Sequence, residues 1–480
     1  MLKKISEWVL KNEWIILLGC LVILIRIPSW FEPYWYGDEA IYLTIGQALN
    51  KGVRLYSQIH DNKPPLLYFM AALAGGNLFW FKFLATVWNL ITVVVFVNLA
   101  KKLTVNKPAW ITASLIFALA TSWPKLEGNI ANAELFFLLP TIACVNLLWK
   151  KEPEPRRIIL AGITAGIAIL FKVPAIFELM IWPILWLVFG EKRWFKNSVL
   201  LAIGVAIPIG LSAIYCLGTN SLNEYLVAAW KQNIPYLSSW TTVSTAKGIW
   251  LLKNRAAILV SVLAIIFGLG KKWGKNATLI SAWAAVALFA ALLSGRPYPH
   301  YLLQAVPALT LAISGLVFEK IPVKLIQGGV LALFGATIIA FGFYNYKTVD
   351  YYRNFLEWAV GNRNDSDYVS WFGQQNKVNY EVAAWVKRLA LPEDRIFVWG
   401  DEPMIYALTK RLPASKYIVK YHIKDFRAEN FTMTELAEKR PAVVVSYGNE
   451  AELPGLDNWL NQNYQPEKRV DGIVIYSLKN

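Results

Sequence analysis

The sequence has few cysteines and no pattern among them. Cys20, Cys144 and Cys216 stand far apart, each inside an apolar run. There is no CxxC pair and no Cys/His ligand spacing, so the three read as small buried apolar side chains. Acidic residues are also scarce. Against 48 Lys and Arg there are 32 Asp and Glu, a formal net charge of +16. In a soluble protein that excess would point to nucleic acid. Here no basic, aromatic-interleaved stripe accompanies it, and no nucleic-acid partner is expected. The basic residues lie mostly in short loops between apolar runs, where the positive-inside rule places them. No Gly-rich phosphate loop is found. The first apolar run, Trp14 to Ile27, follows Lys3, Lys4 and Lys11, but no small-residue cleavage site follows it. It therefore reads as an uncleaved first span.

What the sequence has in quantity is apolar residues, 56% of the chain, more than a soluble domain carries. They are concentrated in long runs up to about Tyr346, after which the chain turns polar and charged. The expected division is a membrane domain over residues 1–346 and a soluble domain over 347–480. A span needs about 20 apolar residues, fewer where protein covers its end. Candidate spans are 13–31, 78–100, 109–123, 133–149, 157–171, 174–190, 197–217, 254–270, 277–294, 300–318 and 323–345, about eleven in all.

Loop charge sets the orientation. The basic loops carry Lys101, Lys102 and Lys107; Lys150, Lys151, Arg156 and Arg157; Lys192, Arg193 and Lys196; Lys271, Lys272 and Lys275; and Lys320 and Lys324. All fall on one side only if 157–190 is two short spans, broken near Lys172-Val173-Pro174. Proline disfavours helix at the residue before it, so a break there is reasonable. With the basic loops in the cytoplasm, the other face carries the long first loop, 32–77, loop 124–132, the Lys172 corner, loop 218–253, segment 295–299 and the C-terminal domain. The expected location is the cytoplasmic (plasma) membrane, with the C-terminal domain outside.

Beyond residue 365 the periodicity changes. Tyr380 to Ala390 places Val382, Trp385, Val386 and Leu389 on one helical face. Arg395–Trp399, Lys416–Val419, Ala442–Ser446 and Gly472–Ser477 read as short strands, with helices at 402–410 and 432–440 between them. The expectation is a small α/β domain. Asp401 and Glu402 follow a strand end, where α/β ligands often sit, although carboxylates at a helix start are also favoured by the helix dipole.

The first external loop holds the most chemistry. Gly37-Asp38-Glu39 opens a helical pattern, and His60-Asp61-Asn62-Lys63-Pro64-Pro65 follows. Two adjacent carboxylates at a membrane surface suit general base catalysis or cation binding. Asp38 could equally cap the helix it begins. Lys63 precedes two prolines and so is held extended, a fixed cation suited to a lipid phosphate, or a snorkelling lysine. Glu134 starts an apolar span, where carboxylates are rare and usually functional, or are stabilised by the helix dipole. Glu127 is the alternative acid. Lys172 could pair with Glu178 or hold a phosphate. His300, with Arg296 before it, could donate to a phosphate or sugar oxygen, or simply begin a helix. Under the charge-derived topology, which was set without these groups, all of them fall on one membrane face.

Taken in order, these motifs resemble glycosyltransferase family 39. They are Gly37-Asp38-Glu39 with Tyr42, Asp61-Asn62-Lys63-Pro64-Pro65-Leu66, Ala133-Glu134, the Phe171-Lys172 corner, and His300-Tyr301 with Pro307-Ala308-Leu309. The family includes protein O-mannosyltransferases and lipid A aminoarabinose transferases and has the GT-C fold. The resemblance covers roughly residues 10–345. It implies an all-α polytopic membrane domain followed by the small α/β domain. It also implies two surface helices in the first loop, at about 39–50 and 64–75, a polyprenyl-phosphate sugar donor and an inverting displacement. By the resemblance, Asp38 matches the catalytic base, Lys63 the lysine on the lipid phosphate, and Glu134 a second acidic site residue. Glu39 would help bind acceptor or donor, Asp61 and Lys172 count among the substrate-binding residues, and Arg296 and His300 are phosphate neighbours. Some relatives carry a carboxylate immediately before the lysine; this chain has Asn62, with Asp61 one position earlier. Departure from phosphate needs one base and nearby cations, so a divalent metal has room but is not required. A transporter or flippase of lipid-linked sugars is the rival reading. It would call for inverted repeats and polar groups at the bilayer midplane, neither of which stands out.

Overall fold

The computed structural model describes residues 13–149, 154–233 and 245–479. Lys3, Lys4, Lys11, Lys150 and Lys151 lie outside the described residues. Every candidate span forms helix over most of its length. Among the described residues, six helices are long and apolar enough to cross a membrane: Glu13–Trp30, Leu78–Leu103, Trp194–Gly218, Lys253–Trp273, Pro299–Phe318 and Ile321–Phe341. Shorter apolar helices cover Lys107–Ala120, Ala133–Leu148, Val173–Val188 and Lys275–Ala291. The expected break is present: helix Pro155–Phe171 stops at Lys172, which is extended, and a 3-10 stretch over Val173–Met180 follows.

The described chain divides into two compact units. The first takes residues up to Ile27, Leu84–Ile214 and Trp230–Thr348; the second takes Pro28–Phe83, Tyr215–Ala229 and the chain from Val349 onward. The stretch between helices Glu13–Trp30 and Leu78–Leu103 thus clusters with the C-terminal segment.

In the first unit, small residues bring helices together. A Cβ on Gly162 would lie 2.3 Å from the Leu201 carbonyl, and one on Gly204 would lie 2.3 Å from that of Ile159. Only glycine permits so close an approach, the usual means of joining helices where lipid removes the hydrophobic drive. Helix starts are fixed locally too. Asn106 caps Lys107–Ala120 by accepting from the Ala109 N–H at 2.9 Å, with proline in the first turn, a combination that satisfies an orphan donor and presets φ.

In the second unit the two helices expected in the first loop form, at Gly37–Asn50 and Leu66–Leu73. They pack so closely that a Cβ on Gly46 would lie 2.7 Å from the Ala71 carbonyl carbon. The first is also tied to the C-terminal segment. Gln47 donates to the Ala407 carbonyl at 3.0 Å, and Thr44 to that of Pro403 at 3.4 Å. The sheet has strands β1 (Arg395–Trp399), β2 (Leu412–Pro413), β3 (Val443–Ser446), β4 (Tyr464–Val470) and β5 (Ile473–Leu478), in the order β2-β1-β3-β5-β4. β1 lies parallel to both β2 and β3, and β5 is antiparallel to β3 and β4. Phe397, Trp399, Val444, Leu436 and Leu460 build its core. Helices form at Gln374–Leu389, Met404–Thr409 and Glu429–Lys439. The strand expected at Lys416–Val419 does not form. The backbone there is committed elsewhere: the Lys416 carbonyl accepts from the His60 N–H at 3.0 Å, and the Tyr417 N–H donates to Ser415 Oγ at 3.3 Å.

Candidate active site

Each unit gathers its own cluster of ionisable groups. In the second, Asp38 occupies the first turn of Gly37–Asn50, where the helix dipole favours its negative charge. Tyr42, one turn on, donates to Asp38 Oδ2 at 2.9 Å. The Lys63 ammonium lies 3.5 Å from Asp38 Oδ2 and 3.8 Å from Asp61 Oδ2, and 4.9 Å over the Tyr42 ring. Two buried tyrosines hold the Lys63 backbone. Tyr56 donates to its carbonyl at 2.8 Å, and its N–H donates to the Tyr68 hydroxyl at 3.1 Å. Tyr68 in turn donates to Asp61 at 2.7 Å. Burial raises both phenols well above their ordinary value, so they remain hydroxyl donors. The sequence-predicted trio Asp38, Asp61 and Lys63 therefore does converge: a partly exposed acid beside a lysine whose backbone is fixed.

Glu39 turns the other way. It is buried and lies 3.1 Å from the ammonium of Lys82, which is itself fully buried and 2.7 Å from Glu32. Also unanticipated is His422, from the short helix Lys420–Asp425, whose Nε2 lies 3.6 Å from Asp61 Oδ1. Burial pushes the His422 imidazole below its ordinary value against the opposing pull of Asp61.

In the first unit, Glu134 sits in the first turn of Ala133–Leu148 and Lys172 at the end of Pro155–Phe171. The two form an ion pair, and the Lys172 ammonium lies 4.0 Å over the Tyr301 ring. The alternative pairing of Lys172 with Glu178 does not occur. Glu178 instead accepts from Trp283 at 2.5 Å and Gln304 at 3.2 Å. His300, in the 3-10 turn Pro299–Ala305, contacts Glu127 through Nδ1 and approaches Glu134 through Nε2 at 3.8 Å. Glu127 is buried and also accepts from the His300 N–H at 3.2 Å and from Tyr346. Burial raises its carboxyl, but His300 and Tyr346 outweigh that and hold it below the usual carboxylate range. Arg296 is half-buried in the turn before His300, its N–H donating to Ser294 Oγ at 3.3 Å.

Sequence reasoning ranked Glu127 below Glu134 because nothing local marks a loop acid as buried. Lys82 was overlooked inside an apolar run, although a lone charge in such a run is itself a signal. His422 carried no signal, since its partner lies far away in sequence. Among the described residues, no group of three His, Cys, Asp or Glu side chains is placed to hold a metal ion.

Chemically, the second-unit cluster combines a proton acceptor and a fixed cation. The first-unit cluster combines a carboxylate pair with a lysine and a histidine. The fold is the polytopic GT-C type. Residues 62–216 match the family described as dolichyl-phosphate-mannose-protein mannosyltransferase. That stretch contains Lys63, Glu134 and Lys172 but begins after Asp38. In structure the chain is similar to ArnT from Cupriavidus metallidurans bound to undecaprenyl phosphate, with a TM-score of 0.59 and 12% identity over 97% of this chain and 98% of that one. It is also similar, with a TM-score of 0.44 and 11% identity over 92% of this chain and 70% of that one, to the archaeal oligosaccharyltransferase AglB from Archaeoglobus fulgidus in complex with an inhibitory peptide and a dolichol-phosphate. No curated protein matches the sequence. The family match bears out the resemblance read from the sequence, and the likeness to ArnT bears out the fold.

Proposed function

We propose that the protein is a membrane glycosyltransferase. It takes a sugar from a polyprenyl-phosphate donor and passes it to an acceptor on the extracytoplasmic side. The observation that carries this reading is the Asp38–Lys63–Asp61 cluster, an acid and a cation held together by Tyr42, Tyr56 and Tyr68 in the first loop of a GT-C fold. Asp38 takes the proton from the acceptor nucleophile. The acceptor oxygen bonds to the anomeric carbon as the bond from that carbon to the phosphate oxygen breaks. The electron pair leaves with the polyprenyl phosphate, and configuration inverts. Lys63 neutralises charge developing on that phosphate, the kind of preorganised electrostatic help that dominates many such reactions. Asp61 orients Lys63. Glu134, Lys172, Arg296 and His300 are assigned as substrate ligands by their chemistry: three are cations or hydrogen-bond donors suited to phosphate and sugar oxygens, and Glu134 can accept from sugar hydroxyls.

The test is an assay of the purified full-length protein with a panel of polyprenyl-phosphate sugars and membrane acceptor extracts, scored by product mass. Transfer from one or more of these donors is expected. A folded protein that transfers from none, yet moves lipid-linked sugar across a vesicle bilayer, would overturn the assignment in favour of a flippase.

A further inference from the structure

The two acids of the Gly37-Asp38-Glu39 motif have opposite environments. Adjacent residues on a helix point about 100° apart. The side chain of Asp38 is 39% exposed and that of Glu39 is 3% exposed. Glu39 meets Lys82 at 3.1 Å, and Lys82 meets Glu32 at 2.7 Å. Glu32 in turn accepts from the Tyr351 hydroxyl at 2.6 Å and the Trp35 indole N–H at 2.8 Å. Five groups therefore converge from the stretch between helices Glu13–Trp30 and Gly37–Asn50, from helix Gly37–Asn50, from the start of helix Leu78–Leu103 and from helix Thr348–Ala359. Burying charge is costly unless it is paired and hydrogen-bonded; here one ammonium bridges two carboxylates, and the neutral donors Tyr351 and Trp35 complete the shell of Glu32.

We propose that Glu39 is a positioning residue: its ion pair with Lys82, itself held by Glu32, fixes the rotation of the helix that presents Asp38. The inference rests on Asp38 being the base. A substrate cannot use a carboxylate enclosed in this way, but the fold can. Turning the helix to free Glu39 would swing Asp38 away from Lys63 and Tyr42. A misplacement of about 1 Å can cost a hundredfold in rate, so the lock has a kinetic consequence although it touches no reacting atom. The segments it joins also explain the otherwise unused Lys82 and Glu32.

Two experiments on the full-length protein test this. First, carboxylates of the native protein are labelled with a water-soluble carbodiimide and glycine ethyl ester and mapped by mass spectrometry. Asp38 should label and Glu39 should not until the protein is denatured. Equal native labelling of the two overturns the inference without any activity measurement. Second, kinetics are measured with the undecaprenyl-phosphate sugar that gives product. Glu39→Gln should lower kcat about tenfold to a hundredfold, with both KM values unchanged. A raised KM with native kcat would instead make Glu39 a substrate ligand. In a double-mutant cycle, Glu39→Gln should add little to Lys82→Met, and additive losses count against the proposal. If Lys82→Met does not fold, the labelling and the Glu39→Gln kinetics decide. Native turnover by Asp38→Asn would sink the assignment of the base, whereas a crippled Asp38→Asn beside a Glu39→Gln that changes only KM sinks this inference alone.

Discussion

Replacing Asp38 by Asn separates chemistry from folding, because the structure predicts very different magnitudes for the two. The Asp38 side chain is 39% exposed, and its ion pair with Lys63 spans 3.5 Å. Pairs this open to solvent contribute about 0–1 kcal/mol. Asparagine keeps the volume, and its oxygen can still accept from Tyr42, so that hydrogen bond survives. The thermal midpoint in detergent should therefore fall by no more than about 4 °C. The rate should respond far more. Losing a general base costs about 10²–10⁴, which is about 2.7–5.4 kcal/mol of activation free energy at about 1.36 kcal/mol per tenfold. The donor contacts assigned to Lys63 remain, so donor binding should stay native. The assay is single-turnover transfer at saturating donor, with thermal unfolding measured on the same preparation. Near-native turnover by a well-folded Asp38→Asn protein would refute the assignment. A loss of turnover matched by a midpoint drop of tens of degrees would show that Asp38 is structural.

Other outcomes follow from the same geometry. Lys63→Ala should weaken donor binding about tenfold to a hundredfold, since hydrogen bonds to charged groups contribute about 1.5–3 kcal/mol; unchanged affinity in a folded variant would release Lys63 from that role. Alkaline phosphatase fused after Lys347 should be active, as the alternation of basic loops requires, and an active cytoplasmic reporter there would invert the proposed topology. Burial lowers His422 below its ordinary value, which for the unfolded chain is about 6.5. Between the folded value and 6.5 the unfolded chain binds more protons, so stability is full above that window and falls as pH drops through it. The thermal midpoint should therefore decline between about pH 7.5 and pH 5.5, and less steeply in His422→Gln; equal slopes would refute the linkage.

The helices were readable in the sequence because apolar runs and caps are local signals. The break before Pro174 and the helix at Gly37–Asn50 both follow from patterns within a few residues. Strand β4, Tyr464–Val470, was not readable. It has Pro466 and an exposed, charged middle, and only its ends, Tyr464 and Val470, are buried. It is an edge strand, where proline and charge are tolerated and alternation is blurred. Lys416–Val419 has strand composition but spends its backbone on loop contacts, which composition does not encode. Among the ionisable groups, Asp38, Lys63 and Asp61 were visible as a motif. The burial of Glu127 and the approach of His422 to Asp61 depend on residues far away in sequence, and periodicity carries no information about them.

The hydrogen bonds from Gln47 to Ala407 and from Thr44 to Pro403 also bear on how the chain is made. The second pair is separated by 359 positions. At about 5–20 residues per second of synthesis, the helix bearing Asp38 leaves the ribosome about 20–70 s before the segment that completes its packing. During that interval it lacks the C-terminal partners that complete its burial. The packing of this helix is therefore completed late although the helix is translated early, and a chain cut short before residue 403 carries Gly37-Asp38-Glu39 without Pro403 and Ala407, the partners of Thr44 and Gln47.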